Sequence, residues 1–237
     1  MITTVLFDLD GTLLPMELEN FAKGYFDTLA KKLVPLGYDV DTLVKGITGG
    51  ITAAVKNDGT RLTKEAFWEY FSSVAGDRIF NNTDVIDEYY QKDFDGVKEY
   101  CGYNEKAAQT VKYIKEKGYR TALATNPLFP AVATEKRVSW TGLSPEDFEY
   151  ITNYDNSAFC KPNPMYFKEV IGKLGVTPEE CLMVGNDVTE DGCAKEIGIK
   201  VFILTDNLIN KYNVDISEFP HGNFDDLKEY IDSLERA

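Results

Sequence analysis

The chain has 237 residues, enough for one large domain or for a core with a smaller module, and its 43% hydrophobic and 27% charged content is ordinary for a globular protein. Its formal net charge of −14 speaks against a nucleic-acid partner, since Lys and Arg are what displace counterions from a phosphate backbone; an anionic ligand would have to rely on a few local donors and a cation. Four scattered cysteines with no CxxC pair, a single histidine and no apolar run of membrane-spanning length predict reduced thiols, no zinc cluster, no Ser-His-Asp triad, no membrane partner and a cytoplasmic, unexported protein.

The first element is an apolar, β-branched run from Ile2 through Val5-Leu6-Phe7, the pattern of a buried strand. It ends in Asp8 and Asp10, with Gly11 allowing the chain to turn. Two carboxylates at one buried strand end repel each other unless a cation or a shared proton relieves them, so the pair suggests a hard metal ion. The competing reading is an ordinary Asp-Gly turn.

From Met16 to Tyr100 the period changes. Phe21, Tyr25, Leu29 and Leu33 recur at helical spacing, as do Phe67 and Phe71, with breaks at Pro35-Leu36-Gly37, Asn57-Asp58-Gly59, Gly76-Asp77 and Asn81-Asn82. About four helices are expected, forming an insert over residues 16–100 whose aromatic stripes read as packing rather than as a ligand site. Gly46, Gly49 and Gly50 allow either close helix packing or close approach of a ligand, and packing is the favoured reading.

Beyond the insert, helices and strands alternate. A helix over 104–118 precedes a strand over 120–124, a helix over 130–140, a short turn opened by Ser144-Pro145 and a strand over 148–152. A helix over 164–174, a strand over 181–184, a helix over 190–197, a strand over 200–204 and a last helix over 225–234 follow. This is the pattern of an α/β fold, a Rossmann-like parallel sheet with helices on both faces, formed by residues 1–15 and 101–237. Ligands of such sheets bind at the strand C-termini.

Those C-termini carry the reactive side chains. The first strand ends at Asp8 and Asp10, and the second at Thr125-Asn126. Lys161 follows the third within Cys160-Lys161-Pro162-Asn163-Pro164, and the fourth ends in Gly185-Asn186-Asp187 with Asp191 one turn on. The order aspartate, threonine, lysine, aspartate, carried by DLDGTLL, Thr125, KPNP and GNDVTED, resembles the four motifs of the haloacid dehalogenase superfamily of hydrolases. The resemblance covers about two thirds of the chain, and members with a helical cap carry it where residues 16–100 lie.

The resemblance implies a phosphatase with a helical cap, similar to phosphoglycolate phosphatases, acting on a small-molecule phosphate monoester through an aspartyl-phosphate. Asp8 would be the nucleophile and Asp10 the general acid and base. Mg2+ would be held by Asp8, Asp187 and the Asp10 backbone carbonyl, with Asn186 or Asp191 around it or Asp191 as the alternative ligand. Thr125, Lys161, Asn126 and the backbone N–H near Leu9 would hold the phosphate. The fourth motif departs from the Gly-Asp opening of many members, since Asn186 follows Gly185. Asp10 counts against dehalogenases and phosphonate-cleaving relatives, which lack an acid there.

A sugar phosphomutase is the alternative within the superfamily, although such relatives usually have valine where Thr12 stands and a cap histidine absent here. His221, the single histidine, is expected in a C-terminal loop. Two readings of other classes are a catalytically silent phosphate-ligand binding protein and a response-regulator receiver, the latter disfavoured by the chain length and the insert.

Overall fold

In the structure, a computed structural model that describes residues 1–234, the expected parallel sheet is formed by β1 (Thr4–Phe7), β2 (Arg120–Leu123), β3 (Cys181–Gly185), β4 (Lys200–Leu204) and β5 (His221–Gly222). Their order is β2-β1-β3-β4-β5. Every residue of β1 and β3 is buried, which explains why both read as continuous apolar runs instead of alternating ones.

Alternation still decides what lies on each face. Val5, Phe7, Leu123, Leu182, Val184, Phe202 and Leu204 pack with α5 (Glu105–Glu116) and α8 (Phe224–Ser233). Leu6, Ala122, Ala124, Met183, Val201 and Ile203 pack with α7 (Pro164–Leu174). Asn104, Asn163 and Asn223 open these three helices by accepting backbone N–H bonds, which satisfies donors that have no partner inside the helix.

Val5 is in register with Thr121 on one side and Leu182 on the other. The chain therefore runs from β1 to β2 on one side and then crosses from β2 to β3 on the other, and the crevice of the fold lies beyond the carboxyl ends of β1 and β3.

Between β1 and β2, residues 18–100 form α1 (Leu18–Leu33), α2 (Val40–Val55), α3 (Thr63–Ala75), α4 (Thr83–Glu88) and short 3₁₀ and π turns. α1 buries Phe21, Gly24, Tyr25, Leu29 and Leu33, a single stripe. The glycines of α2 serve packing: a Cβ at Gly46, Gly49 or Gly50 would lie 2.5, 1.9 or 2.7 Å from the rings of Phe71, Tyr70 and Phe67 on α3. Two helices approach this closely only without side chains between them.

Three expectations need correction. The strand over 148–152 is reduced to a single parallel bridge, Leu123 to Ile151. Beyond it the next ladder groups are diverted: the Tyr154 N–H donates to Phe129 O, and the Thr125 carbonyl is taken by Thr152 Oγ1 and Tyr166 OH. The helix over 190–197 is a 3₁₀ segment, Gly192–Ile197; glycine at its first position is a poor helix former. His221 lies in the two-residue strand β5, exposed, with Nδ1 2.8 Å from the Phe219 carbonyl. No helix among the described residues is long and apolar enough to cross a membrane.

Candidate active site

α6 (Ala131–Trp140) follows β2 and brings Arg137 to Asp10 beside the strand ends. Asp8 continues β1 by one residue, its N–H donating to Val184 O at 2.9 Å. The chain then turns back on itself: Gly11, at φ +87°, donates to Leu14 O, and Leu14 donates to Leu9 O. A Cβ on Gly11 would sit 2.5 Å from Asn186 Nδ2, so glycine lets the loop close against the end of β3.

Inside this loop Thr12 Oγ1 is 2.9 Å from both Asp8 Oδ2 and Asn186 Oδ1. Its single proton serves one of them at a time. Asn186 Nδ2 donates to Asn207 O, and Asn207 Nδ2 to Gly11 O. Asn186 thus braces the loop that carries Asp8.

Lys161 is 1% exposed, and its Nζ lies 2.8 Å from Asp8 Oδ1 and 2.7 Å from Asp191 Oδ1. Burial disfavours the ammonium, but Asp191 and Asp8 outweigh it and hold the lysine well above its ordinary range. Asp191 also accepts the Asp187 N–H at 3.0 Å, and burial pushes its carboxyl up to about 6 against the pull of Lys161. Asp187 Oδ1 accepts the N–H groups of Thr189 and Glu190, capping the turn after β3.

Thr125, at the end of β2, is 1% exposed. Its carbonyl accepts bonds from Thr152 Oγ1 and Tyr166 OH, each at 2.7 Å, while its own Oγ1 has no partner. Asn126 Oδ1 accepts the Lys161 N–H, and its Nδ2 donates to Glu190 Oε2 at 2.9 Å. Glu190 is pushed up to about 7 by burial, against the pull of Lys161. Leu9 is wholly buried beneath the loop.

Asp10 is paired apart from this lysine-centred group. Its Oδ2 pairs with Arg137, and its Oδ1 is buried with no partner. Burial raises its carboxyl despite the guanidinium. Direct bonds therefore link Asp8, Thr12, Lys161, Asn186 and Asp191, whereas Asp187 joins through its backbone and Asp10 forms a second pair beside them.

Arg137, Glu190 and Asn207 are the members that reading the sequence missed. The available signal for Arg137 was its place four residues after Ala133 and beside Val138 in a helix whose other face is polar.

The donor set fits a hard cation. Asp8, Asp10, Asp187 and Asp191 stand against Lys161 and Arg137, leaving the cleft net negative, and every anionic ligand atom is oxygen. Among the described residues no three acidic, histidine or cysteine side chains are gathered as a ready-made metal cage. Magnesium does not need one, because it binds through one or two carboxylates and takes the rest of its shell from water and substrate phosphate.

The model of one family, haloacid dehalogenase-like hydrolase, matches residues 2–195. A phosphoglycolate phosphatase of Aquifex aeolicus is 27% identical over 232 residues, covering 97% of this chain and 96% of that protein. Pyrophosphatase PpaX of Bacillus cereus is 26% identical over 186 residues, covering 78% and 75%. Among solved structures, a HAD phosphatase from Thermococcus onnurineus superposes with a TM-score of 0.61 at 21% identity over the whole of both chains. A 2-haloacid dehalogenase from Pseudomonas syringae does so with 0.66 at 18% identity over 98% of this chain and 99% of that one. Likenesses at this identity establish the fold and not the reaction.

Proposed function

Because the chain belongs to the haloacid dehalogenase-like hydrolase family, we propose that this hydrolase is a magnesium-dependent phosphatase for small-molecule phosphate monoesters. The observation that carries this reading is a pair of carboxylates held for different tasks. Asp8 is fixed by Lys161 and Thr12, whereas Asp10 keeps one oxygen without a partner.

In the first step an Asp8 oxygen attacks phosphorus, the bond from phosphorus to the ester oxygen breaks, and Asp10 Oδ1 gives its proton to the departing alkoxide. In the second, Asp10 takes a proton from water, whose oxygen attacks the aspartyl-phosphate; phosphate leaves and Asp8 is restored. Lys161 offsets the charge of Asp8 and of the transferring group, while Thr125 Oγ1 and the Asn126 N–H donate to phosphoryl oxygens.

Mg2+ would be held by Asp8, the Asp10 backbone carbonyl and Asp187, with Asp191 keeping Lys161 in place. When bound it neutralises carboxylate and phosphate repulsion and aligns the attack. Residues 16–100 form the cap in this reading, and 1–15 with 101–237 the catalytic core. The cap seals the cleft from bulk water. The four cysteines are all unpaired, in keeping with a cytoplasmic setting.

The relatives named for phosphoglycolate and pyrophosphate place those two compounds in the test panel. Phosphate release from the panel and from an aryl phosphate, with Mg2+ and with EDTA, is measured for wild type and Asp8→Asn. Mg2+-dependent turnover by wild type alone is expected. Equal phosphate release by both proteins would leave only a binding role.

A further inference from the structure

The cleft contains one cation that the chemistry above does not use. Arg137 is wholly buried. Its guanidinium meets Asp10 Oδ2, lies 3.3 Å from Thr134 Oγ1 and from Ala133 O, and sits 4.5 Å from the centroid of the Phe129 ring. Of these contacts only Asp10 carries charge.

Packing does not call for an arginine at this place. The neighbouring buried positions of α6 are Ala133, Thr134, Val138 and Trp140. An apolar side chain among them would avoid the desolvation that a buried ion pair carries, and such replacements are often neutral or stabilising. Asp10 carries a mirror-image cost, with Oδ1 buried and unpartnered, and a buried acceptor without a donor is also unfavourable. Two unfavourable features that meet at one bond are explained together if the bond aims the free oxygen at something absent from the resting protein.

We propose that Arg137 is a positioning residue for the general acid: it clamps Asp10 Oδ2, and the Phe129 ring holds the guanidinium plane, so that Oδ1 alone faces the leaving-group oxygen. The inference rests on the phosphatase reading and concerns its first step, in which the proton on Oδ1 passes to the ester oxygen as the bond to phosphorus breaks. Lysine is a poor substitute, because an ammonium has neither the planar fork nor the stacking face.

The test separates leaving groups that need a proton from those that do not. Single-turnover alcohol release, which reads the first step alone, is measured with p-nitrophenyl phosphate and with an unactivated alkyl phosphate. The proteins are wild type, R137K, R137M, D10N and D10N/R137M, each checked for folding by thermal melting.

Arg137→Met is expected to slow the alkyl ester by about 100-fold or more, the usual reach of general acid catalysis, and p-nitrophenyl phosphate by less than about 5-fold. Arg137→Lys falls between wild type and R137M on the alkyl ester. In the D10N background, Arg137→Met adds nothing further, because residues that act as a unit are non-additive. That double variant removes both charges and remains informative if R137M alone does not fold. Equal slowing of both esters by R137K or R137M, or a further loss on adding R137M to D10N, overturns the positioning role. A wild type inert on both esters defeats the phosphatase reading instead.

Discussion

Thr125 buries its hydroxyl without a partner while its own carbonyl receives bonds from both Thr152 and Tyr166. The residue is thus held tightly, and the one group left over is the one a phosphoryl oxygen could use. Burying an unsatisfied donor costs about 1–3 kcal/mol, so valine, with a methyl in its place, should fold at least as well. Thr125→Val is expected to keep or raise the melting temperature while kcat/KM on phosphate esters falls about 10²-fold, the scale of losing one donor to a developing oxyanion. Thermal melts and initial rates on the same preparation decide it: a destabilised variant with undiminished kcat/KM would mean the hydroxyl serves the fold. The same reasoning distinguishes Thr125 from Lys161, whose bonds to Asp8 and Asp191 make it part of the folded ion network as well as of the cleft.

The short turn Pro145–Asp147 shows how one side chain can join elements at some distance from the cleft. Asp147 accepts the Ser144 N–H at 2.9 Å and the Lys115 ammonium of α5 at 2.6 Å. Partial burial works against its charge, but these two donors outweigh it and hold the carboxyl below its ordinary value. An acid with a depressed folded pKa binds its proton more readily in the unfolded chain. Its stabilisation is therefore present above the unfolded value, about 3.9, and is lost as pH falls through the lower folded value. Asp147→Asn should cost about 1 kcal/mol at pH 7, with the difference from wild type shrinking below about pH 4. Urea titrations at pH 7 and pH 3 check this, and a deficit of equal size at both would assign it to packing. At this scale β1 to β4 and the insert helices were legible, because burial on both faces or on one stripe leaves a periodic record in the sequence. The chain over 148–152 was not, since Phe129 and the side chains of Thr152 and Tyr166 take the groups that would extend its ladder, and β5 has too few residues to carry a period. The strand ends announced Asp8, Thr125 and Lys161, but a buried cation on a helix face, Arg137, reads locally like a solvated one, and its meaning depends on where Asp10 stands 127 residues earlier.

The insert is joined to the rest of the molecule in several places, among them the contact of Asp95 with Lys136 and Trp140 on α6, and two of these joins differ in mechanics. Its entry and exit lie side by side, Met16 bridging Cys101 and Gly102 N–H donating to Pro15 O, so the two crossings are paired and would act as one hinge if the insert moved. The second join is at the start of α3. Thr63 N–H donates to Ser157 O, Lys64 N–H to Tyr154 O, and Asn57 Nδ2 to both Arg61 O and Ala158 O. This join holds the segment 154–158, which leads directly to Lys161, so loosening it acts on the chain that presents the lysine to Asp8. Asn57→Ala removes the central tie and leaves two carbonyls without that donor, a loss of about 1–3 kcal/mol in the closed form. If insert and sheet open separately about the paired hinge, the amides of Thr63 and Lys64 should exchange about 10-fold faster in Asn57→Ala, while those of β1 and β3 keep their wild-type protection. Residue-resolved hydrogen exchange reads both sets at once. An equal loss of protection across the sheet would instead mean that the molecule opens as one unit, and that access to the cleft is not governed by the insert.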